Sequence, residues 1–298
     1  MLELIVSDMD GTLLNGQLQV HPDNIEAIMH TYSLGIPFIV ATGRNFKEAQ
    51  VVLDKAGIRC PIIGLNGAIL FDRDGKVQYE IALNDSTARS IIQYGQNNGY
   101  YMEAMTAKNV YSNSKQRRLN YIADVIQQHS PDLSREEIEK RAVQAAVVTS
   151  VEYLDDLTDL IDQQGQHILK IVFIHEGGNQ VLSPLAEELN NTYWDIATTS
   201  SFYSNLEVSA TRANKGEAVA SYCHAHGYHP ENIMTIGDNL NDIQMIRLAG
   251  YSFAMGNAEE EVKQAAKYQT ANNNEGGVAK AIQKALKLTH SESLWQFF

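Results

Sequence analysis

Three short segments rich in Asp, Thr and Gly each follow directly after an apolar run of the chain. They are residues 8–12 (DMDGT), residues 42–44 (TGR) and residues 237–242 (GDNLND). A single Asp-Gly segment carries little information, because surface loops are rich in both residues. Three such segments, each at the end of an apolar run, are harder to attribute to loop composition and predict one shared site.

The side chains in and near these segments suit phosphoryl transfer, because they supply carboxylates, a hydroxyl and an amine. Asp8, Asp10 and Asp238 would repel one another unless a cation joined them, and open sets of oxygen ligands suit Mg²⁺ together with a substrate phosphate. Lys215, the Thr42 hydroxyl and backbone amides would stabilise the phosphoryl group. One Asp would act as nucleophile, and an Asp two residues later would exchange protons.

The elements around these segments predict that they meet. Residues 2–7, 36–41, 61–65 and 233–237 are apolar runs without alternation, separated by amphipathic stretches. Helices are predicted from about Pro22, from Lys215 and over about residues 240–249. This is the pattern of parallel strands buried on both faces. In such sheets ligands bind beyond the carboxyl ends of the strands, which is where the polar segments stand. The predicted fold class is therefore α/β, with a doubly wound, Rossmann-like parallel sheet.

The middle of the chain has a different pattern. Residues 84–206 combine helical stretches with strands that look antiparallel, at residues 100–105, 168–174 and 194–199. This pattern predicts an α+β domain inserted into the α/β domain. The predicted domains are a catalytic core, residues 1–83 and 207–298, and an inserted domain, residues 84–206.

Taken together, the motifs in residues 8–12, 42–44, 215–216 and 237–242 resemble the four motifs of the haloacid dehalogenase superfamily, in the same order. The chain looks most like the Cof-type phosphatases (subclass IIB), which carry a large α/β cap between the second and third motifs. Residues 64–68 and 254–258 are also similar to that subfamily.

The resemblance implies a role for each matching position. Asp8 would be the nucleophile and a Mg²⁺ ligand, and Asp10 the general acid/base that gives the metal its backbone carbonyl. Thr42 and Lys215 would hold the transferring phosphoryl group, and Asp238 would complete the protein ligands of the metal. Two further residues would lie around this centre. Asp242 would orient Lys215 or a metal-bound water, and Asn241 would contact phosphate or Lys215.

Several residues near the predicted site keep two interpretations. Gly43 and Arg44 are candidates for contact with the substrate, and Arg44 has the alternative of a structural ion pair. Asn66 either contacts the substrate or fixes its own tight turn. Lys215 has a simpler alternative as a solvated residue in the first turn of a helix. The basic residues 115–118 (KQRR) would meet an anionic substrate or, as we expect, form a solvated face.

Composition limits the function classes. The 298 residues contain 23 Lys and Arg against 36 Asp and Glu, a formal charge of −13, which argues against binding to nucleic acid or to an anionic membrane. Two cysteines exclude a disulfide framework and a cysteine-based zinc site. The N-terminal residues lack the pattern of a signal peptide, so a cytoplasmic location is expected.

The expected function is a Mg²⁺-dependent phosphatase that hydrolyses small phosphate monoesters, such as sugar phosphates, through an aspartyl-phosphate. Two alternatives stay open at this point. A phosphomutase or phosphotransferase would pass the same phosphoryl group to an alcohol, and a non-catalytic metabolite-binding regulator would keep only the fold. The intact residues Asp8, Asp10, Lys215 and Asp238 argue against the regulator.

Overall fold

The computed structural model describes residues 1–130, 132–148, 151–200 and 203–295. The chain divides into a core unit, Met1–Tyr79 with Arg212–Phe298, and an inserted unit, Glu80–Thr211. The predicted insertion, residues 84–206, lies within the inserted unit. The catalytic and substrate-selecting roles given to the two units stay predictions.

The described strands and helices follow one another in chain order. The strands are β1 Leu4–Ser7, β2 Phe38–Ala41, β3 Ile62–Gly64, β4 Ile69–Phe71, β5 Val77–Glu80, β6 Tyr101–Met105, β7 Val110–Ser112, β8 Val151–Tyr153, β9 Lys170–Ile174, β10 Ile196–Thr199, β11 Asn205–Ala210, β12 Ile233–Gly237, β13 Tyr251–Ala254 and β14 Tyr268–Gln269. The helices are α1 Pro22–Ser33, α2 Phe46–Lys55, α3 Asp85–Asn97, α4 Lys115–His129, α5 Arg135–Val148, α6 Asn179–Thr192, α7 Lys215–His226, α8 Ile243–Leu248, α9 Glu260–Ala265 and α10 Gly277–Trp295.

The sheet of the core unit confirms the predicted α/β class. Its strand order is β14-β13-β12-β1-β2-β3-β4-β5, and the neighbours from β14 to β3 pair in parallel. In β1, Ile5 belongs to one hydrophobic cluster, with α1, α2 and α10, whereas Leu4 and Val6 belong to another, with α7 and α8. Because successive side chains of a strand point to opposite faces, helices cover both faces of this sheet.

Two helices of the core unit begin where the sequence predicts. Pro22 opens α1 and Lys215 opens α7, each after a residue whose side chain accepts a hydrogen bond from the first turn. The predicted helix near residues 240–249 is shorter than expected: a 3₁₀ turn over Leu240–Asp242 precedes α8.

The inserted unit has a six-stranded sheet in the order β10-β11-β9-β6-β7-β8, antiparallel except for β7 and β8. The sequence predicts β6, β9 and β10 of this sheet and does not predict β7, β8 or β11. In the register, Glu103 is opposite Val172, which is opposite Glu207. Two carboxylates therefore share one face of this sheet.

The expectation of a solvated face at residues 115–118 is wrong for one of its members. Arg118 is buried and forms an ion pair with the buried Glu103, whereas residues 115–117 are exposed. Glu103 also accepts a hydrogen bond of 2.6 Å from the hydroxyl of Tyr101. The first turn of α4 is thereby joined to the sheet by a buried charge pair.

In the part of the chain that the structure describes, no helix is both long enough and apolar enough to cross a membrane.

Candidate active site

The three polar segments meet at one edge of the core sheet. Strands β12, β1 and β2 are parallel neighbours, so their carboxyl ends lie side by side. Asp8 follows β1, Thr42 follows β2 and Asp238 follows β12. The structure thus brings together residues that are more than 200 positions apart in the chain.

A tight π-type turn over Met9–Leu13 follows Asp8, and the amide of Leu14 donates to the carbonyl of Met9. Gly11 has φ +78° in this turn, and a Cβ atom there would lie 2.3 Å from a carboxylate oxygen of Asp238. The glycine is therefore required both by the backbone conformation and by the approach of Asp238.

Three carboxylates form the centre of the site. Oxygen atoms of Asp8, Asp238 and Asp242 lie within 4.8 Å of one another, and the hydroxyl of Thr12 donates to Asp238 at 2.6 Å. Burial, together with the negative charge of Asp242, raises the pKa of Asp8 well above its ordinary value. Burial also raises the pKa of Asp238 to about 6. This concentration of negative charge in a buried place calls for cations.

Lys215 supplies one cation. Its ammonium Nζ lies 2.5 Å from Oδ1 of Asp8 and 2.7 Å from Oδ1 of Asp242, and the residue is only 1% exposed. Burial opposes the charge on the ammonium, but the two carboxylates raise the pKa of Lys215 above its ordinary value. The alternative interpretation as a solvated helix residue is therefore wrong.

The glycine after Lys215 has a packing role. A Cβ atom on Gly216 would lie 2.5 Å from the Cβ atom of Gln244, so α7 and α8 pack closely at this point. This contact holds the first turn of α7, and with it Lys215, against the segment that carries Asp242.

Asp242 uses both of its carboxylate oxygens within the protein. Oδ1 accepts from Lys215, and Oδ2 accepts from the backbone amides of Asp238 at 2.9 Å and Asn239 at 3.0 Å. Asp242 therefore fixes the position of Lys215 and the conformation of the loop after β12. This arrangement supports the predicted outer role of Asp242.

Asp10 stands apart from the three central carboxylates, and its side chain is 47% exposed. Nε of Arg44 donates to one of its oxygens at 2.8 Å, and Nη2 donates to the other at 2.5 Å. The structure thus has Arg44 in its predicted ion-pair form.

The second motif and the turn after β3 pack together. Thr42 is fully buried, its hydroxyl accepts from the amide of Arg44 at 3.1 Å, and its carbonyl accepts from the amide of Asn66. Asn66 has φ +58°, as the interpretation of a tight turn requires, and its Oδ1 accepts from Asn241 at 3.1 Å. A Cβ atom on Gly43 would lie 3.1 Å from that same oxygen.

Sequence reasoning did not assign a role to Asn257 or Asn273. The side-chain amide of Asn257 donates to the carbonyl of Gly11 at 2.8 Å, and its oxygen accepts from the amide of Asn273 at 2.9 Å. Asn273 in turn donates to the carbonyl of Leu14 at 2.8 Å. These bonds hold the turn after Asp8 at its middle and just after its end, and the motif at residues 254–258 was the sequence signal for Asn257.

Comparisons with known proteins agree with this geometry. The family profile described as haloacid dehalogenase-like hydrolase matches residues 5–282. Phosphatase YwpJ of Bacillus subtilis (strain 168) is 28% identical over 289 residues, which cover 96% of this chain and 100% of the relative. The 5-amino-6-(5-phospho-D-ribitylamino)uracil phosphatase YwtE of the same bacterium is 27% identical over 286 residues, which cover 96% of this chain and 98% of the relative.

A solved structure is similar over almost the same range. It is a haloacid dehalogenase-like hydrolase from B. subtilis, with a TM-score of 0.81 and 26% sequence identity, covering 94% of this chain and 99% of the other.

Proposed function

This chain belongs to the family of haloacid dehalogenase-like hydrolases and is a phosphatase, and from that premise we propose that it hydrolyses small phosphate monoesters with Mg²⁺ through an aspartyl-phosphate. The observation that carries the proposal is the position of Asp8. Its buried carboxylate is placed between the ammonium of Lys215 and the carboxylate of Asp238, at the end of a central strand.

The donor set fits a divalent cation. The site holds three carboxylates, those of Asp8, Asp238 and Asp242, and one ammonium, that of Lys215. With all four groups ionised, their net charge is −2. Hard carboxylate oxygens with room for a phosphate are the environment that Mg²⁺ prefers. We assign Asp8, Asp238 and the backbone carbonyl of Asp10 as its ligands, because both oxygens of Asp242 are already engaged. When bound, the ion would neutralise charge shared by the carboxylates and the phosphate.

Asp8 is the proposed nucleophile. One of its oxygens forms a bond to phosphorus while the bond from phosphorus to the leaving oxygen breaks, and a proton from the Asp10 carboxyl neutralises the departing alkoxide. Water then attacks phosphorus and gives its proton to Asp10, and the bond between phosphorus and Asp8 breaks. Inorganic phosphate and the free carboxylate of Asp8 result.

Lys215 and Thr42 are proposed to hold the phosphoryl group. The ammonium of Lys215 already contacts Asp8, so positive charge stands next to the atom that receives phosphorus. Fixed positive charge placed before the reaction lowers the cost of developing negative charge in the transition state.

The relative YwtE is named for a phosphorylated ribityl compound, and we propose small phosphorylated metabolites of that general kind, including sugar phosphates, as substrates here. We assign the choice among them to the inserted unit, residues 84–206. A cytoplasmic location is part of the same proposal.

The test is release of phosphate from p-nitrophenyl phosphate, measured with Mg²⁺ and again with EDTA. Asp8→Asn keeps the shape of the side chain and removes the nucleophile, so we expect its Mg²⁺-dependent turnover to be lost. The control is Asp54→Asn, which makes the same change on the exposed face of α2. Normal turnover by Asp8→Asn would exclude Asp8 as the nucleophile.

Product analysis separates the hydrolase from a phosphotransferase. A phosphorylated sugar is supplied with and without a second sugar as acceptor, and inorganic phosphate is measured against phosphorylated acceptor. A hydrolase yields inorganic phosphate in both mixtures, and phosphorylated acceptor as the main product would contradict this proposal.

A further inference from the structure

The inserted unit contains a small cavity of its own. It lies where the start of β6 meets the end of β9, and α4 forms one of its walls. Its volume is about 190 Å³. The described residues that line it all belong to the inserted unit, and none of them is assigned to phosphoryl transfer.

One wall of this cavity carries a hydroxyl that needs a partner. Ser204 is 8% exposed and lines the cavity, and its Oγ has no hydrogen-bond partner among the residues described by the structure. Buried polar side chains are nearly always hydrogen-bonded in native proteins. The hydroxyl of Ser204 is therefore available to bond to a molecule that enters the cavity.

The cavity also carries an excess of negative charge. Asp124 and Glu176 both line it, and burial together with the charge of Glu176 raises the pKa of Asp124. The guanidinium of Arg117, the cation among the lining residues, donates to the carbonyl of Gly99 at 2.7 Å. Asp124 and Glu176 are exposed, and together with Arg117 they give the described lining a net charge of −1, which favours a cationic ligand over an anion.

The remaining walls are suited to an ammonium group with hydroxyls attached. The rings of Tyr101 and Tyr121 line the cavity, and aromatic faces attract ammonium groups. The guanidinium of Arg117 lies over the Tyr101 ring, 5.8 Å from its centre, so the ring of Tyr121 is the one assigned to the ligand. The side-chain amide of Asn120 offers both a donor and an acceptor. His175 also lines the cavity, and its Nδ1 accepts from the amide of Gly177 at 2.9 Å, so the ring is held in one orientation.

We propose that this cavity binds a small hydroxylated amine of the amino-sugar class, with its ammonium group between Asp124 and Glu176 and a hydroxyl bonded to Ser204. The inference goes beyond the proposed phosphatase activity, because it concerns a ligand site made by the inserted unit alone.

Calorimetric titration of the full chain tests the proposal with three sugars that differ only in the group at C2. Glucosamine carries the ammonium group, N-acetylglucosamine has it blocked, and glucose lacks it. We expect saturable binding of glucosamine and at least about tenfold weaker binding of the other two, since a hydrogen bond to a charged group is worth about a factor of ten or more. Equal binding of the three would overturn the proposal, as would failure of glucosamine to saturate by about 50 mM.

Matched variants locate the binding. Asp124→Asn and Glu176→Gln each remove one charge with little change of shape, and each should raise the dissociation constant of glucosamine about tenfold or more. The controls are Asp159→Asn and Glu187→Gln, exposed acids of the same unit that do not line the cavity. Circular dichroism melts establish that each variant is folded.

Two further variants make the outcome decisive. Ser204→Ala should also weaken binding, because the ligand hydroxyl loses its partner. Asp8→Asn should bind glucosamine as the natural chain does, whether or not it releases phosphate, so failure of the proposed function is distinguished from failure of this inference. Unchanged affinity in the Asp124, Glu176 and Ser204 variants would refute the assigned cavity, as would loss of binding in the Asp8 variant.

Discussion

Replacing Lys215 by Met removes the only charge that the described protein side chains place between Asp8 and Asp242. The ammonium lies 2.5 Å from Oδ1 of Asp8 and 2.7 Å from Oδ1 of Asp242. Methionine has a similar length and no charge, so the variant fills the space and isolates the electrostatic effect. The two carboxylates would then be buried together without a counter-charge.

The size of the effect follows from the burial of all three groups, which are at most 7% exposed as side chains. Breaking a buried pair by removing one partner costs about 3–5 kcal/mol. For a unit of this size, each kcal/mol lowers the melting temperature by about 2–4 °C. We therefore expect Lys215→Met to melt roughly 6–20 °C below the natural chain, and to release phosphate at least about a hundredfold more slowly.

The assay is thermal and urea unfolding of the natural chain, Lys215→Met, Asp242→Asn and the double variant, all with EDTA so that no divalent cation shares the carboxylates. Asparagine keeps an oxygen for the amides of Asp238 and Asn239 and removes the charge. We expect the double variant to be more stable than the sum of the two single effects would give, with a coupling free energy of about 0.5–3 kcal/mol.

The control is Lys280→Met, an exposed lysine on α10, which should change stability by less than about 0.5 kcal/mol. The reasoning is refuted if Lys215→Met unfolds within about 1 kcal/mol of the natural chain, or if adding Asp242→Asn to it destabilises the protein further.

Three other predictions concern single positions. Gly11→Ala should lower phosphate release at least about tenfold, because φ is +78° and the Cβ would meet a carboxylate oxygen at 2.3 Å. Its control is Gly35→Ala, where φ is +76° and the Cβ would enter open space, so the variant should lose about 1 kcal/mol of stability and keep its turnover. Asn257→Asp removes the donor to the carbonyl of Gly11, and kcat should fall about tenfold with KM nearly constant; a change in KM alone would contradict a positioning role. Burial raises the pKa of Cys60 to about 12 and that of Cys223 to about 11, which lowers the thiolate fraction of both. At pH 8, iodoacetamide should therefore label both cysteines at least about a hundredfold more slowly in the folded chain than in urea, as measured by mass spectrometry.

The sequence was sufficient for the core because its signals there are local. The apolar runs that became β1, β2 and β12 are buried at every position, so their patterns lack the ambiguity of half-exposed strands. The polar residues after them stand at strand ends, and parallel pairing alone brings Asp8 and Asp238 together.

The inserted unit was harder to predict because its strands carry charge on a buried face. In β11, the segment Asn205–Ala210 contains Asn, Glu and Ser, yet all six residues are buried. The burial of Glu103 depends on Arg118, which lies on a different element. A partner of this kind leaves no periodic pattern in the sequence, so β11 was not predicted and the first turn of α4 was expected to be solvated.

The same limit explains why the interpretation of Arg44 stayed open. Its two hydrogen bonds to Asp10 join residues that are 34 positions apart in the chain. The side chain of Arg44 is 22% exposed and that of Asp10 is 47% exposed. Ion pairs between exposed side chains contribute about 0.2–1 kcal/mol, and a pair with two hydrogen bonds contributes somewhat more. If Asp10 is to give a proton to a leaving oxygen, at least one of its two oxygens has to leave Arg44, and the small strength of the pair permits this exchange. A substrate phosphate, with its greater charge, would compete well for the released guanidinium. The ion pair and the substrate contact are therefore compatible as successive states of Arg44, before and after the substrate binds.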